Sequence, residues 1–115
     1  MKKIEKPWGS EEILEMNSVY MVKRLTMKAG HRCSLQYHNK KCETIYVLSG
    51  DLRIYIGDSP ESVHARIYVG GEYVTISSGQ VHRMEAVTDS IYLESSLPDD
   101  GNDVVRLSDD YERAK

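Results

Sequence analysis

The sequence lacks any long apolar run. Its first six residues, Met-Lys-Lys-Ile-Glu-Lys, also lack the apolar centre of a secretory signal peptide. A helix needs about 18 consecutive apolar residues to cross a bilayer. Neither a membrane segment nor a signal sequence is therefore predicted, and we expect a soluble, cytoplasmic protein with no membrane partner.

Basic blocks and cysteine pairs are missing as well. Fifteen Lys and Arg residues stand against 18 Asp and Glu residues, for a net charge of −3, so nucleic acid is not an expected partner. The two cysteines, Cys33 and Cys42, do not form a Cys-x-x-Cys motif. We expect reduced structural thiols, since disulfides are disfavoured in the cytosol.

Short strand-forming runs separated by Gly, Asp, Ser and Pro fill most of the 115 residues. This pattern predicts an all-β sandwich or barrel, and the length predicts a single domain over 1–115. Ser49-Gly50-Asp51 is expected to form a tight hairpin, and Ser108 to start one helical turn reaching Arg113. The predicted strands are Glu11–Met16, Val19–Lys28, His31–Tyr37, Glu43–Ser49, Asp51–Ile56, Ala65–Val69, Tyr73–Ile76, His82–Ala86 and Ser90–Ser95.

Four candidate metal ligands stand in two glycine-bounded frames. The first frame, 30–50, reads Gly30-x5-Gln36-x-His38-x4-Glu43-x6-Gly50; the second, within 71–86, reads Gly71-x7-Gly79-x2-His82. Gln36 and His38 are two apart on a predicted strand and so share a face. The glycines stand where tight turns need positive φ.

Two imidazoles, a carboxylate and an amide oxygen suit one divalent first-row metal ion, and Zn, Mn, Fe, Co and Ni all accept such ligands. Glu43 shares its strand face with Ile45 and Val47, where an unpaired carboxylate is costly and coordination would remove that cost. His31 and His64 fall outside the frames and are interpreted as structural or surface residues.

The two frames resemble the two motifs of the cupin superfamily, which implies a jelly-roll barrel (a double-stranded β-helix). Further segments resemble the type II mannose-6-phosphate isomerase domain, and together they extend from about Lys6 to Arg113. They are Lys6-Pro7-Trp8-Gly9-Ser10, Val22-Lys23-Arg24-Leu25, Ser34-Leu35-Gln36-x-His38, His82-Arg83-Met84-Glu85 and Asp103-Val104-Val105-Arg106-Leu107. In that family the domain commonly follows a mannose-1-phosphate guanylyltransferase domain.

The resemblance implies that Gln36, His38, Glu43 and His82 bind the metal. It also implies interconversion of mannose 6-phosphate and fructose 6-phosphate. A proton then moves between C1 and C2, and cations hold the phosphate and the enediolate oxygens. Lys41 and Arg106 are the candidate catalytic cations, and both are also candidate substrate-binding residues, together with Lys23.

The sequence does not identify the general base. Lys41 and Glu85 are the candidates for it, whereas Arg83 is expected in a structural salt bridge and Trp8 as an anchor of the N-terminal segment. The chain departs from the family at Lys41, where an arginine is usual, at Thr44-Ile45, and at Ser77-Ser78-Gly79 and Ala86 of the second motif.

Two other functions stay open at this point. Two His, a carboxylate and an amide could hold Fe(II) in a non-haem oxygenase, or the barrel could be a non-catalytic module that binds a sugar or a metal. Small barrels of this kind leave a sheet edge open, so we expect a homodimer. Pro7–Leu14 is the segment expected to reach the partner subunit.

Overall fold

A computed structural model describes residues 2–99 and 102–111, which form eleven strands and one short 3-10 helix, Pro60–Ser62. The strands are β1 Lys2–Lys6, β2 Gly9–Met16, β3 Met21–Met27, β4 Leu35–His38, β5 Glu43–Ser49, β6 Leu52–Gly57, β7 His64–Tyr68, β8 Tyr73–Ile76, β9 Val81–Ala86, β10 Ser90–Ser96 and β11 Val104–Ser108. The all-β prediction is confirmed.

The strands form two antiparallel sheets. One has six strands in the order β1-β2-β3-β10-β5-β8, and the other has five in the order β11-β4-β9-β6-β7. Alternate residues of each strand point between the sheets. The buried apolar cluster lies there and consists of Trp8, Leu25, Met27, Cys33, Ile45, Val47, Leu52, Ile54, Tyr68, Ile76, Met84, Ala86 and Tyr92.

Two predicted strands, Glu43–Ser49 and Tyr73–Ile76, have the predicted bounds. The prediction missed β1 and β11 and began β4 too early, since that strand starts at Leu35. Ser108 ends β11 instead of capping a helix, and a turn follows at Asp110 and Tyr111. The last residues of the predicted helical turn, 112–113, lie outside the described residues.

The prediction of a hairpin at Ser49-Gly50-Asp51 is wrong. β5 pairs with β10 and β8 in the six-stranded sheet, whereas β6 pairs with β7 and β9 in the other. Gly50 is thus the corner at which the chain passes between the sheets. Its φ is +86°, and a Cβ atom there would lie 2.2 Å from the carbonyl oxygen of Asp89.

The N-terminal strands form a hairpin within the chain. β2 pairs with β1 on one side and with β3 on the other, so Pro7–Leu14 does not contain an open sheet edge. Trp8 is buried in the core cluster, as expected of an anchor. No helix among the described residues has the length and apolar character to cross a membrane.

Candidate metal centre

The sheet register brings the four predicted ligands together from both sheets. β4 and β9 are neighbours, and Gln36 lies directly opposite His82. His38 is two residues further along β4 and shares the inward face with Gln36. Glu43 begins β5 in the opposite sheet, so the ligands point at the space between the sheets.

Three of these side chains form a tight, buried cluster. Potential ligand atoms of His38, Glu43 and His82 all lie within 4.8 Å of one another. Nε2 of His82 is 2.9 Å from Oε1 of Glu43, yet neither atom has a partner of hydrogen-bond geometry among the described residues. Buried polar atoms are rarely left without such a partner, so their convergence is what a cation-binding site requires.

The tautomer of His82 fits metal binding. Its Nδ1 lies 2.9 Å from the carbonyl oxygen of Gln80 and can only donate to it, which leaves the Nε2 lone pair facing Glu43. Burial disfavours the charged ring, but the Glu43 carboxylate outweighs it and raises the pKa of His82. Positive charge between the two side chains is therefore favoured, and a metal ion can take the place of the proton.

Burial has opposite consequences for the other two ligands. It lowers the pKa of His38 to about 4, with a further contribution from the charge of Lys41, so the ring is neutral near pH 7 and able to bind a metal. Burial, together with the nearby Glu94 carboxylate, raises the pKa of Glu43. A bound cation would favour the ionised form that coordination requires.

Gln36 could supply the fourth ligand atom if its side-chain amide were rotated by half a turn. Its Oε1 accepts a hydrogen bond from Oγ of Ser34, and its Nε2 lies 3.5 Å from Nε2 of His38. The two ends of an amide are assigned from such contacts. Rotating the amide by half a turn would bring its oxygen toward His38 and the metal cluster, and its nitrogen could still donate to Ser34.

Lys41, a candidate catalytic and substrate-binding residue, lies beside carboxylates of the protein itself. Its ammonium group is buried and reaches three carboxylates, at 3.0 Å from Glu94, 3.5 Å from Asp99 and 3.6 Å from Glu43. An ammonium group has three donors, and three carboxylates already surround this one. The environment favours a role toward the protein's own carboxylates over a contact with a phosphate.

Two of the four candidate ligands, Gln36 and His38, line a cavity of about 170 Å³ between the sheets. The candidate substrate-binding cations Lys23, Lys41 and Arg106 all line it, and Arg106 pairs in register with Gln36. The cavity-lining residues are Lys6, Trp8, Glu11, Lys23, Leu25, Cys33, Gln36, His38, Lys41, Met84, Tyr92, Glu94, Asp99, Val104 and Arg106.

Glu85, a candidate base from the sequence, lies on the other side of β9. Arg53 and the hydroxyl of Tyr55 each donate to its carboxylate at 2.8 Å, and the Arg53 hydrogen bond holds the pKa of Glu85 below its usual value. Nε of Arg83 donates to the carbonyl oxygen of Cys33, and the expected salt bridge of Arg83 is not found among residues 2–99 and 102–111. Both cysteines are free, as predicted.

Sequence reasoning missed five polar residues of the cavity wall: Lys6, Glu11, Tyr92, Glu94 and Asp99. A signal existed for two of them. Ser90, Tyr92 and Glu94 alternate along β10 and are all buried, so the inward face of this strand carries a carboxylate. The strand register shows that Lys23 lies opposite Glu94.

The sequence matches the family described as mannose-6-phosphate isomerase C-terminal over residues 1–109. The chain is 28% identical over 116 residues to the xanthan biosynthesis protein XanB of Xanthomonas campestris pv. campestris, covering 97% of this chain and 24% of XanB. The mannose-1-phosphate guanylyltransferase ManC of Salmonella typhimurium is also 28% identical over 116 residues, with 97% and 23% covered. The chain thus spans about a quarter of the length of these curated relatives.

Solved structures resemble the fold. The capsular polysaccharide assembling protein CapF of Staphylococcus aureus superposes with a TM-score of 0.81 at 20% identity, covering 93% of this chain and 34% of CapF. Oxalate decarboxylase of Bacillus subtilis, which has Mn(II) centres, gives 0.77 at 21% identity, with 93% and 30% covered. These likenesses confirm the predicted cupin fold.

Proposed function

This chain belongs to the mannose-6-phosphate isomerase C-terminal family, and on that premise we propose that it is a metal-dependent isomerase interconverting mannose 6-phosphate and fructose 6-phosphate. One observation carries the proposal. Ligand atoms of His38, Glu43 and His82 converge in a buried cluster, and His38 also lines a cavity that Lys23 and Arg106 line. Such a site would bring a metal ion close to side-chain cations that can bind an anionic sugar.

Gln36, His38, Glu43 and His82 would hold one divalent ion, with Zn, Mn, Fe, Co and Ni all compatible with these ligands. When bound, the ion supplies a Lewis acid for the oxygens at C1 and C2 of the open-chain sugar. Two of these residues keep a second contact that orients them: Nδ1 of His82 donates to the Gln80 carbonyl, and Gln36 binds Ser34.

The phosphate would bind at Arg106 and Lys23, with Lys6 beside them. Nε of Arg106 is buried and has no hydrogen-bond partner among the described residues. A guanidinium group binds phosphate oxygens in a bidentate manner. Nζ of Lys23 lies 3.6 Å from Glu11, so a dianionic phosphate can compete for it.

Proton transfer falls to the carboxylates of the cavity wall, Glu11 and Glu94, because Glu85 lies elsewhere and Lys41 is enclosed by carboxylates. A base takes the proton from C2 of the aldose and returns it to C1, while the hydroxyl proton passes from O2 to O1. Burial opposes ionisation of Glu94, but Lys41 and Lys23 outweigh it and lower its pKa, so this carboxylate is ionised. A lowered pKa makes it a weak base, and Glu11, beside Lys23, is the other carboxylate that can take the proton.

The test is conversion of mannose 6-phosphate followed by NMR with metal-loaded protein. We expect fructose 6-phosphate to form, and we expect Glu43→Gln to reduce the rate at least about 100-fold because it removes a charged ligand. Glu61→Gln, on the exposed 3-10 helix, is the matched control and should retain full activity. No conversion by protein that binds one ion per chain would contradict the proposal.

A non-catalytic sugar- or metal-binding module is the second candidate. The observation that favours it is the position of Lys41, where an arginine is usual in the family, because three carboxylates of the protein itself surround its ammonium group. Such a module would bind mannose 6-phosphate saturably in calorimetry without converting it. Binding with turnover would exclude it.

A further inference from the structure

Lys41 lies at the centre of a buried cluster of charges beside the metal ligands. Its side chain is only 5% exposed, and the side chains of Glu43, Glu94 and Asp99 are 2%, 8% and 7% exposed. These carboxylates come from β5, from β10 and from the segment after β10. One ammonium group therefore connects three separate parts of the chain.

The two oxygens of Glu43 have different neighbours. Oε1 is 2.9 Å from Nε2 of His82, whereas Oε2 is 3.6 Å from Nζ of Lys41. The lysine thus stands on the side of the carboxylate away from the histidine. A carboxylate with one oxygen facing an ammonium group keeps the other oxygen in a defined direction.

The backbone of Lys41 is fixed as firmly as its side chain. The carboxylate of Asp103 accepts the backbone N–H groups of Asn39, Lys40 and Lys41 at 3.1, 3.0 and 3.0 Å. The connection from β4 to β5 is thereby attached to the residue that precedes β11. With both ends held, the ammonium group of Lys41 is fixed beside Glu43.

We propose that Lys41 is a positioning residue of the metal centre, which holds Oε2 of Glu43 and separates this carboxylate from Glu94 so that Oε1 is presented to the metal beside His82. This inference needs Glu43 to be a metal ligand but does not need isomerase activity. Its test therefore measures metal binding, and its failure would leave the proposed reaction open.

The experiment is titration of the protein with Co²⁺, read by calorimetry and by the visible absorption of the bound ion. Lys41→Met should lower Co²⁺ affinity by about 10- to 100-fold, the usual effect of losing a residue that orients a metal ligand. It should also shift the absorption bands, because the carboxylate changes its mode of binding. Lys40→Met removes an exposed lysine next in sequence and should alter neither reading.

The double variant Lys41→Met/Glu94→Gln separates positioning from simple neutralisation. Removing both charges of the 3.0 Å pair should recover the thermal stability that Lys41→Met loses by leaving Glu94 unpaired. The Co²⁺ affinity should stay low, because Glu43 still lacks its lysine. If Lys41→Met does not fold, the affinity of the double variant alone decides the matter.

Two results would overturn the inference. One is Co²⁺ affinity and absorption in folded Lys41→Met equal to those of the unchanged protein. The other is full recovery of affinity in the double variant, which would mean that Lys41 serves only to neutralise Glu94.

Discussion

Glu43 is a buried candidate metal ligand with charged groups on both sides of its carboxylate. Its carboxylate lies at the start of a strand whose next inward residues, Ile45 and Val47, are fully buried. A carboxylate in such a place is costly unless cations surround it. His82 on one side and Lys41 on the other supply that surrounding, and a divalent ion would complete it.

A substitution at Tyr92 tests whether the unpaired polar atoms that line the cavity contribute to the stability of the protein. The residue is fully buried, and its hydroxyl has no hydrogen-bond partner among the described residues. Tyr92→Phe should leave the free energy of unfolding unchanged or raise it by up to about 1 kcal/mol, since no bond is lost. Urea denaturation measures this.

The control is Tyr55→Phe, which removes a hydroxyl that donates to Glu85 at 2.8 Å. This change should lower the free energy of unfolding by about 1 kcal/mol. Equal losses in the two variants would show that the hydroxyl of Tyr92 has a stabilising partner after all.

The convergence of Gln36, His38, Glu43 and His82 could be predicted from the sequence because their spacing carries the information. Gln36 and His38 share a strand face by alternation, and the glycine frames mark the strand ends. The surroundings of Lys41 could not be predicted, since Glu94 and Asp99 are distant in sequence and meet it only through sheet order. A lysine flanking a ligand looks the same whether it faces solvent or carboxylates.

At the scale of the elements, the connection between β4 and β5 is held by hydrogen bonds to one carboxylate, that of Asp103. Three backbone N–H groups donate to Asp103, and they lower its pKa. A lowered pKa contributes stability above the ordinary pKa of about 4, and this contribution is lost as the pH falls through the folded value.

Asp103→Asn should therefore lower the melting temperature at pH 7, and the difference from the unchanged protein should shrink as the pH falls below about 4. Calorimetric melting over this pH range measures the effect. Asp58→Asn, at an exposed turn residue, is the control. A difference that stays constant with pH would exclude the proposed role of the carboxylate.

The corner at Gly50 gives a second prediction for the elements. Gly50→Ala should lower the free energy of unfolding by more than about 2 kcal/mol, because positive φ and a 2.2 Å approach to Asp89 both oppose a Cβ atom. Gly30→Ala has a similar φ of +82° but open space around it and should cost only about 1 kcal/mol. Equal costs, measured by urea denaturation, would mean that crowding at the corner is unimportant.

The strands that the sequence failed to predict are those whose formation depends on neighbours. β1 reads Lys-Lys-Ile-Glu-Lys and has one apolar residue, but it pairs along its whole length with β2. The residues between β5 and β6 are of the types found in hairpin turns. The two strands nevertheless belong to different sheets, and the inward-facing residues of both strands are buried. Local residue preference does not distinguish a hairpin from a corner between sheets.

At the scale of the whole molecule, the two sheet edges of the six-stranded sheet differ. β1 carries three lysines and a glutamate, which discourage pairing with another chain, whereas β8 reads Tyr-Val-Thr-Ile without a charge. The exposed side chains of Tyr46 and Tyr73 stack next to that edge at 6.4 Å. We therefore expect the dimer contact at β8 instead of at Pro7–Leu14.

We expect the protein to be a homodimer by light scattering and Tyr73→Glu to convert it to a monomer, since the charge would be placed at the contact. Lys3→Glu on β1 should leave the dimer intact. A monomer at all concentrations measured for the unchanged protein would contradict this expectation.

The central claim is that a divalent ion held by Gln36, His38, Glu43 and His82 makes this barrel an isomerase. Its most direct test removes all metal with a chelator, returns Zn, Mn, Fe, Co or Ni in steps, and follows the conversion of mannose 6-phosphate by NMR. We predict no conversion by the metal-free protein and a rate that rises in proportion to bound ion up to one per chain. Conversion that is unaffected by chelation, or none at full occupancy, would contradict the claim.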